Sequence, residues 1–264
     1  ETVEVAPPEL RLALSKGFEA FLVQLGEGAM DLSVLNWIAE TFASLAAGFD
    51  ASGLRSDEAE RYYEMAADSF AIILDKVDLE PQVTTQIRLR IANMRVRQKR
   101  FSAALDILVD ILRGDGTVLN VQVEAADTLQ RWGDAASKQA KAEHYKRAIL
   151  GGFPHPQWKK NTVWGWGKIA QATAGHPRFK KYFHLARFNL AQCRLRLAEA
   201  QTGAEREKLL KMAEKDISLT QRLYGLGDEQ QEALYDGLMR TIQKHLGQTP
   251  TGLSGLDAGG KTGS

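Results

Sequence analysis

Between residues 178 and 200 the apolar positions Phe179, Phe183, Ala186, Leu190, Cys193 and Leu197 recur at alternating steps of four and three. That spacing marks one face of an α-helix. Leu185, Phe188 and Leu195 form a second apolar face on the same segment. A helix apolar on two sides touches neighbours on two sides, as interior helices of a stacked assembly must. The segment 228–246 is plainer, with Leu234, Leu238 and Ile242 on one face and charge or Gln elsewhere. Such a helix suits a terminal cap with a wet outer surface.

The same periodicity, punctuated by Gly and Pro, predicts helices along most of the chain. Pro7-Pro8 opens one that runs to about Leu25. Asp31 or Ser33 caps the next, which runs through Trp37 to about Ala47. Ser56 or Asp57 caps a third reaching Val77, and Pro81 marks the boundary after it. Further helices are predicted at 82–98, 101–113, 117–132, 136–150, 157–174, 178–201, 204–224 and 228–246. No run alternates with period two between turns, so no strand is predicted. About eleven helices with short connections predict an all-α fold of stacked antiparallel pairs.

Internal similarity sharpens this. "LRIANMRVR" (89–97) aligns without gaps on "FNLAQCRLR" (188–196), matching Ala92 to Ala191, Asn93 to Gln192, Arg95 to Arg194 and Arg97 to Arg196. The offset is 99 residues, three times 33. "WIAET" (37–41) and "KIAQA" (168–172) share a similar core. A second unit recurs as Ala59/Tyr63/Ala66, Ala104/Leu108/Ile111 and Lys141/Tyr145/Ala148.

In these features the chain resembles the tetratricopeptide repeat (TPR) family, whose units of near 34 residues carry a small residue followed four positions later by an aromatic or Leu. Ala59 with Tyr63 and Ala104 with Leu108 look like the second-helix half of its pattern. Ala92 and Ala191 look like the small residue of its first helix. The first-helix Trp and Tyr are matched only loosely, by Trp37 and Phe42, and the closing Pro is mostly missing. The resemblance covers about 32–225 and implies a superhelical solenoid of helix pairs that binds peptides or assembles proteins. On this reading 1–30 is an N-terminal helix or linker, 31–246 the repeat domain and 247–264 a Gly/Ser/Thr-rich tail.

Composition narrows the classes. The 264 residues suffice for one or two domains with a large core. With 34 Lys+Arg against 33 Asp+Glu, the near balance argues against a dedicated nucleic-acid protein and against an acidic disordered chain. A single cysteine, Cys193, rules out an internal disulfide framework. No apolar run reaches the roughly 18 residues of a membrane span, so no membrane insertion is expected. The start "ETVEVAPPEL" lacks the basic beginning and apolar middle of a signal peptide. A chain that begins at Glu1 reads as a processed product or a piece of something longer, and a cytoplasmic location is favoured over export.

The candidate binding residues form a polar stripe. Gln86, Arg90, Asn93 and Arg97 lie at i, i+4, i+7 and i+11 between apolar flanks, and Asn189, Gln192 and Arg196 repeat the set. The TPR resemblance implies that the stripe lines a concave surface where amides and guanidinium groups grip a partner's backbone or carboxylate. The function expected is therefore that of a protein-interaction scaffold binding a peptide or subunit, without a cofactor. A solvated face with no partner is the plainer alternative.

A second surface centres on Trp158, Trp164 and Trp166, with Lys180 and Lys181 among neighbouring cations. Trp is favoured at interface hot spots, although packing of Trp164 or Trp166 into a core gap beside Gly165 and Gly167 is the preferred reading of the cluster. A groove mixing rings and cations at 158–181 makes single-stranded nucleic acid the alternative ligand.

Catalysis finds little support. The five histidines are scattered, and no spacing offers a metal site. Cys193 lies on the apolar stripe and reads as a buried, inert thiol. The final "GLDAGGKTGS" (255–264) fits a phosphate-binding loop letter by letter. It has breakers before it, two residues after Thr262 and no sheet to present it, so a chance match is the better reading. Leu253 and Leu256 could instead pin the tail to its own or a neighbouring chain, and oligomerisation stays open.

Overall fold

The structure is a computed structural model that describes residues 8–28, 31–52, 56–157 and 159–254. Among them are eleven α-helices, one 3₁₀ turn and one short two-stranded hairpin. The chain divides into two compact units, residues 1–107 and 108–264. The all-α class is therefore as expected.

In the first unit, α1 (Pro8–Gly28), α2 (Leu32–Ser52), α3 (Ser56–Lys76) and α4 (Pro81–Arg97) precede the first half of α5 (Phe101–Gly114). The α2 cap is Asp31, whose carboxylate accepts the backbone N–H of Ser33 at 2.7 Å. Pro81 opens α4, where the missing N–H is not needed. The repeated small–aromatic spacing is what buries α3. Ala59, Tyr62, Tyr63 and Ala66 pack against Leu22, Ile38, Phe42 and Ala46. One turn further, Phe70 and Ile73 meet Leu35, Ala39 and Ile87. Thus α3 lies between α2 and α4.

One stretch within α2, Leu32–Ala51, is long and apolar enough to cross a membrane by length and composition, at mean hydropathy 1.2. This corrects the expectation that no segment reaches that threshold. Glu40 and Asp50 interrupt the run, yet the average over the helix still passes. Its Leu35, Ile38, Ala39, Phe42 and Ala46 are buried within the unit.

The second unit continues through α6 (Leu119–Ala135), α7 (Lys138–Leu150), β1 (Gly152–Pro154), β2 (Asn161–Val163), α8 (Gly165–Thr173), α9 (Lys180–Glu199), α10 (Gly203–Tyr224) and α11 (Glu229–His245). The apolar stripe of α9 is its centre. Phe183, Ala186, Leu190, Cys193, Leu197 and, from the second face, Leu195 are buried, and α9 packs on α7, α8 and α10. In α11 the apolar face is shifted from expectation: Leu234 is exposed, and Tyr235 takes the buried place beside Leu238 and Ile242.

The hairpin corrects the helix expected at 157–174. Gly152 pairs with Val163 and Pro154 with Asn161 in an antiparallel register. Lys159 turns the chain in the left-handed region at φ 57. Buried Gln122 of α6 fastens the hairpin from below. Its Nε2 donates to the carbonyls of Gly116 and Thr162 at 2.8 and 2.9 Å, and its Oε1 accepts the Trp164 N–H at 2.8 Å. Two glycines let the ends cross. At Gly165 the φ is +68, and a Cβ would lie 2.4 Å from the Gly151 nitrogen.

Gly165→Ala therefore combines backbone strain with a clash and is expected to cost more than about 2 kcal/mol of stability in urea unfolding. Gly175, at φ +73 with no atom near its missing Cβ, supplies the control: Gly175→Ala carries the strain alone, about 1 kcal/mol. Equal losses in the two variants contradict the crossing described.

Candidate functional site

The second unit contains a buried amide that organises the predicted stripe. Gln130 of α6 donates through Nε2 to Asn189 Oδ1 at 3.1 Å and to Gln192 Oε1 at 2.7 Å. Its Oε1 accepts Trp166 Nε1–H at 2.8 Å and the Cys193 thiol at 3.1 Å. All four bonding positions of this side chain are filled. Asn189 also donates to the Leu185 carbonyl at 3.0 Å, so it is a buried joint rather than a surface contact. Trp166 is likewise buried. Burial holds the Cys193 thiol well above its usual pKa, which keeps it protonated.

Outward from this joint, Gln192 and Arg196 line a cleft of about 740 Å³ between the end of α6, α7 and α9. Tyr145 of α7 forms its floor and donates to Asp134 Oδ1 at 2.6 Å. The ring fits because residue 133 is glycine: a Cβ there would meet Tyr145 at 2.8 Å. Burial, then Asp134, raises the Tyr145 pKa. Arg196 pairs with Glu199 at 3.1 Å, and His245 Nε2 approaches Glu199 at 3.4 Å. Lys138 and Lys141 complete the wall. Among the described residues neither lysine has an ion-pair partner, and the Gln192 Nε2 donates to none. The cleft thus offers two unpaired ammonium groups and an amide donor beside a pre-set guanidinium. It suits a carboxylate or a polar peptide edge.

The corresponding stripe in the first unit is differently employed. Arg90 ion-pairs with Glu40 of α2 and lies 5.5 Å from the Phe70 ring of α3. It ties three helices together, so it serves packing. Arg97 and Gln86 are exposed, and Asn93 is half-buried. Arg97 is close enough to Tyr63 to pull down a hydroxyl pKa that burial raises. The structure joins Asn189 and Gln192 to Gln130 and sets Gln192 and Arg196 in one cleft, whereas the two first-unit pockets described, beside α1 and α3 and between α1, α2 and α3, are lined by none of Gln86, Arg90, Asn93 and Arg97. The aligned arginines keep a common task with different partners. Arg95 pairs with Glu64 of the preceding α3 at 2.6 Å, whereas Arg194 pairs with Asp216 of the following α10.

Of the aromatic and basic surface, Trp158 lies outside the described residues. Trp164 is half-buried with Lys168 Nζ 4.6 Å from its ring, and Lys180 and Lys181 are exposed at the start of α9. Leu253 is buried on α11. Gln243 clamps Gly252 there, accepting its N–H at 2.7 Å and donating to its carbonyl at 3.1 Å, while Asp236 accepts the Leu253 N–H at 2.9 Å. Leu256 and the phosphate-loop-like letters lie outside the described residues.

Sequence reading missed Gln122, Gln130, Asp134, Lys138 and the role of Tyr145. A polar residue inside an otherwise apolar α6 face, such as Gln130 between Ala126 and Gly133, was the available signal. Among the described residues no three His, Cys, Asp or Glu side chains gather to hold a metal. No protein-family model matches the chain, and neither a curated protein nor a solved structure matches it.

Two histidines give the second unit a pH dependence. Burial lowers the pKa of His144, stacked 4.2 Å from Trp132, and that of buried His184. Their folded-state pKa lies below the unfolded one, so the neutral rings contribute stability above it. That stability is lost as pH falls through the folded-state values. The thermal midpoint is expected to drop between about pH 7 and about pH 5. The drop should shrink in a His144→Gln/His184→Gln variant followed by circular dichroism, and an unchanged drop contradicts this origin.

Proposed function

We propose that the chain is a protein-interaction module built of tetratricopeptide-like helix pairs, and that it holds a peptide or subunit in the cleft of its second unit. The observation that carries this reading is the pairing pattern around Tyr145. Asp134 and Arg196 are fixed by Tyr145 and Glu199, while among the described residues Lys138 and Lys141 have no ion-pair partner and the Gln192 Nε2 donates to none. Groups held in place before binding lose little freedom when a ligand arrives. The cleft is also seated directly on the Gln130 joint, which resists deformation. A solenoid arrangement of the helices would extend this cleft along neighbouring pairs, as the resemblance to that family implies.

Lys141 and Arg196 are then the anchoring cations, Gln192 Nε2 grips a peptide carbonyl, and Tyr145 supplies an apolar floor with a polar edge. The partner segment carries a carboxylate and an extended backbone. Selection of a random 12-residue phage-displayed library on the immobilised full chain should enrich peptides containing Asp or Glu. Fluorescent copies of those peptides should lose about tenfold or more in affinity for Lys141→Glu/Arg196→Ala, with the helical circular dichroism unchanged. Selected peptides that bind this variant and the parent equally well overturn the assignment.

A further inference from the structure

The near balance of charge over the whole chain conceals a segregation. Residues 144–198 contain eleven Lys and Arg and no Asp or Glu. Outside that segment 23 basic residues face 33 acidic ones. Four of the eleven are spoken for. Arg187 and Arg194 converge on Asp216, Arg196 holds Glu199, and Arg147 holds Glu143. The remaining seven, Lys146, Lys159, Lys160, Lys168, Arg178, Lys180 and Lys181, are all exposed and have no ion-pair partner among the described residues.

Their placement is unfavourable for the chain on its own. Lys180 and Lys181 begin α9, whose first turn contains no acid. The N-terminus of a helix is its positive end and disfavours cations. Lys159 and Lys160 sit at the turn of the hairpin, Lys159 in a left-handed conformation. Rings lie beside two of these groups and beside the Glu143-paired Arg147: Lys168 lies 4.6 Å from Trp164, Arg178 5.7 Å from Phe179, and Arg147 5.8 Å from Phe153. All three rings are half-buried rather than enclosed.

We propose that the hairpin, α8 and the start of α9 form a binding surface for single-stranded nucleic acid. The lysines and Arg178 hold phosphates, and Trp164, Phe153 and Phe179 offer faces on which bases stack. A polyanion relieves both the mutual repulsion of the cations and their conflict with the α9 dipole. Rings beside cations favour single strands, whose bases are free to stack. An anionic membrane fits less well, because Leu150 is the only large apolar residue of 144–198 that is exposed among the described residues. This surface is distinct from the peptide cleft, so either reading can fail alone.

The test is fluorescence anisotropy of the full chain with fluorescein-labelled 12-mers of dT and of U at two salt concentrations. Contact with about four phosphates predicts a salt slope near −3, a weakening of roughly fiftyfold for a fourfold rise in salt. Lys159→Glu/Lys160→Glu and Lys180→Glu/Lys181→Glu should each weaken binding by about tenfold or more and flatten that slope. Trp164→Leu should weaken binding with the slope unchanged, and Phe179→Leu repeats the measurement if circular dichroism shows Trp164→Leu unfolded. Lys141→Glu/Arg196→Ala should bind the 12-mers within about threefold of the parent. Absence of saturable binding at the lower salt overturns the proposal. So does binding of a glutamate 12-mer as tight as that of the oligonucleotides. Binding to phosphatidylserine vesicles without binding to either 12-mer overturns it too, and assigns the surface to membranes.

Discussion

The second unit depends on one buried amide. Gln130 joins α6 to α8 through Trp166 and to α9 through Asn189, Gln192 and Cys193. A buried amide is favourable only when its donors and acceptors are met, and here each is. Two turns and a residue earlier on α6, Gln122 does the same for the hairpin. The eight-residue spacing places both on one face of α6, so one helix fixes the hairpin and α9 together. The cleft inherits its shape from this. Gln192 cannot swing away without abandoning Gln130, and Tyr145 is held flat against Gly133.

Helix existence and core faces were legible because the apolar spacing and the caps agree: Asp31, Pro81 and Asp228 stand where α2, α4 and α11 begin. The hairpin was not legible. Its strands span three residues each, too short for a period-two pattern, and Gln122 and the two crossing glycines that stabilise it lie outside the strands. The division at 107/108 falls inside α5, where neither Gly nor Pro marks it.

The stripe was legible as a pattern and only partly as a surface. Arg90 reaches across to Glu40 of a neighbouring helix and Asn189 is buried against Gln130, because a polar side chain next to an apolar flank can reach a partner supplied from elsewhere in the chain. The 99-residue offset also spans five helix steps, from α4 to α9, among the described residues. Five is odd, so in any strict alternation of paired helices the two aligned segments occupy opposite members of their pairs. Arg95 turns to the preceding helix and Arg194 to the following one. Net charge is a sum and carries no position: the acid-free stretch 144–198 is visible only when charges are placed along the chain.

The most direct test of this account is Gln130→Met, which keeps the volume and removes the amide. Trp166 Nε1–H, Asn189 and Gln192 then lose their shared partner in a buried setting. Urea unfolding should show a loss of about 2–4 kcal/mol, and amide hydrogen exchange should rise first in α8 and α9. A variant as stable as the parent, with unaltered exchange in those helices, contradicts the claim that Gln130 holds the unit and its cleft in place.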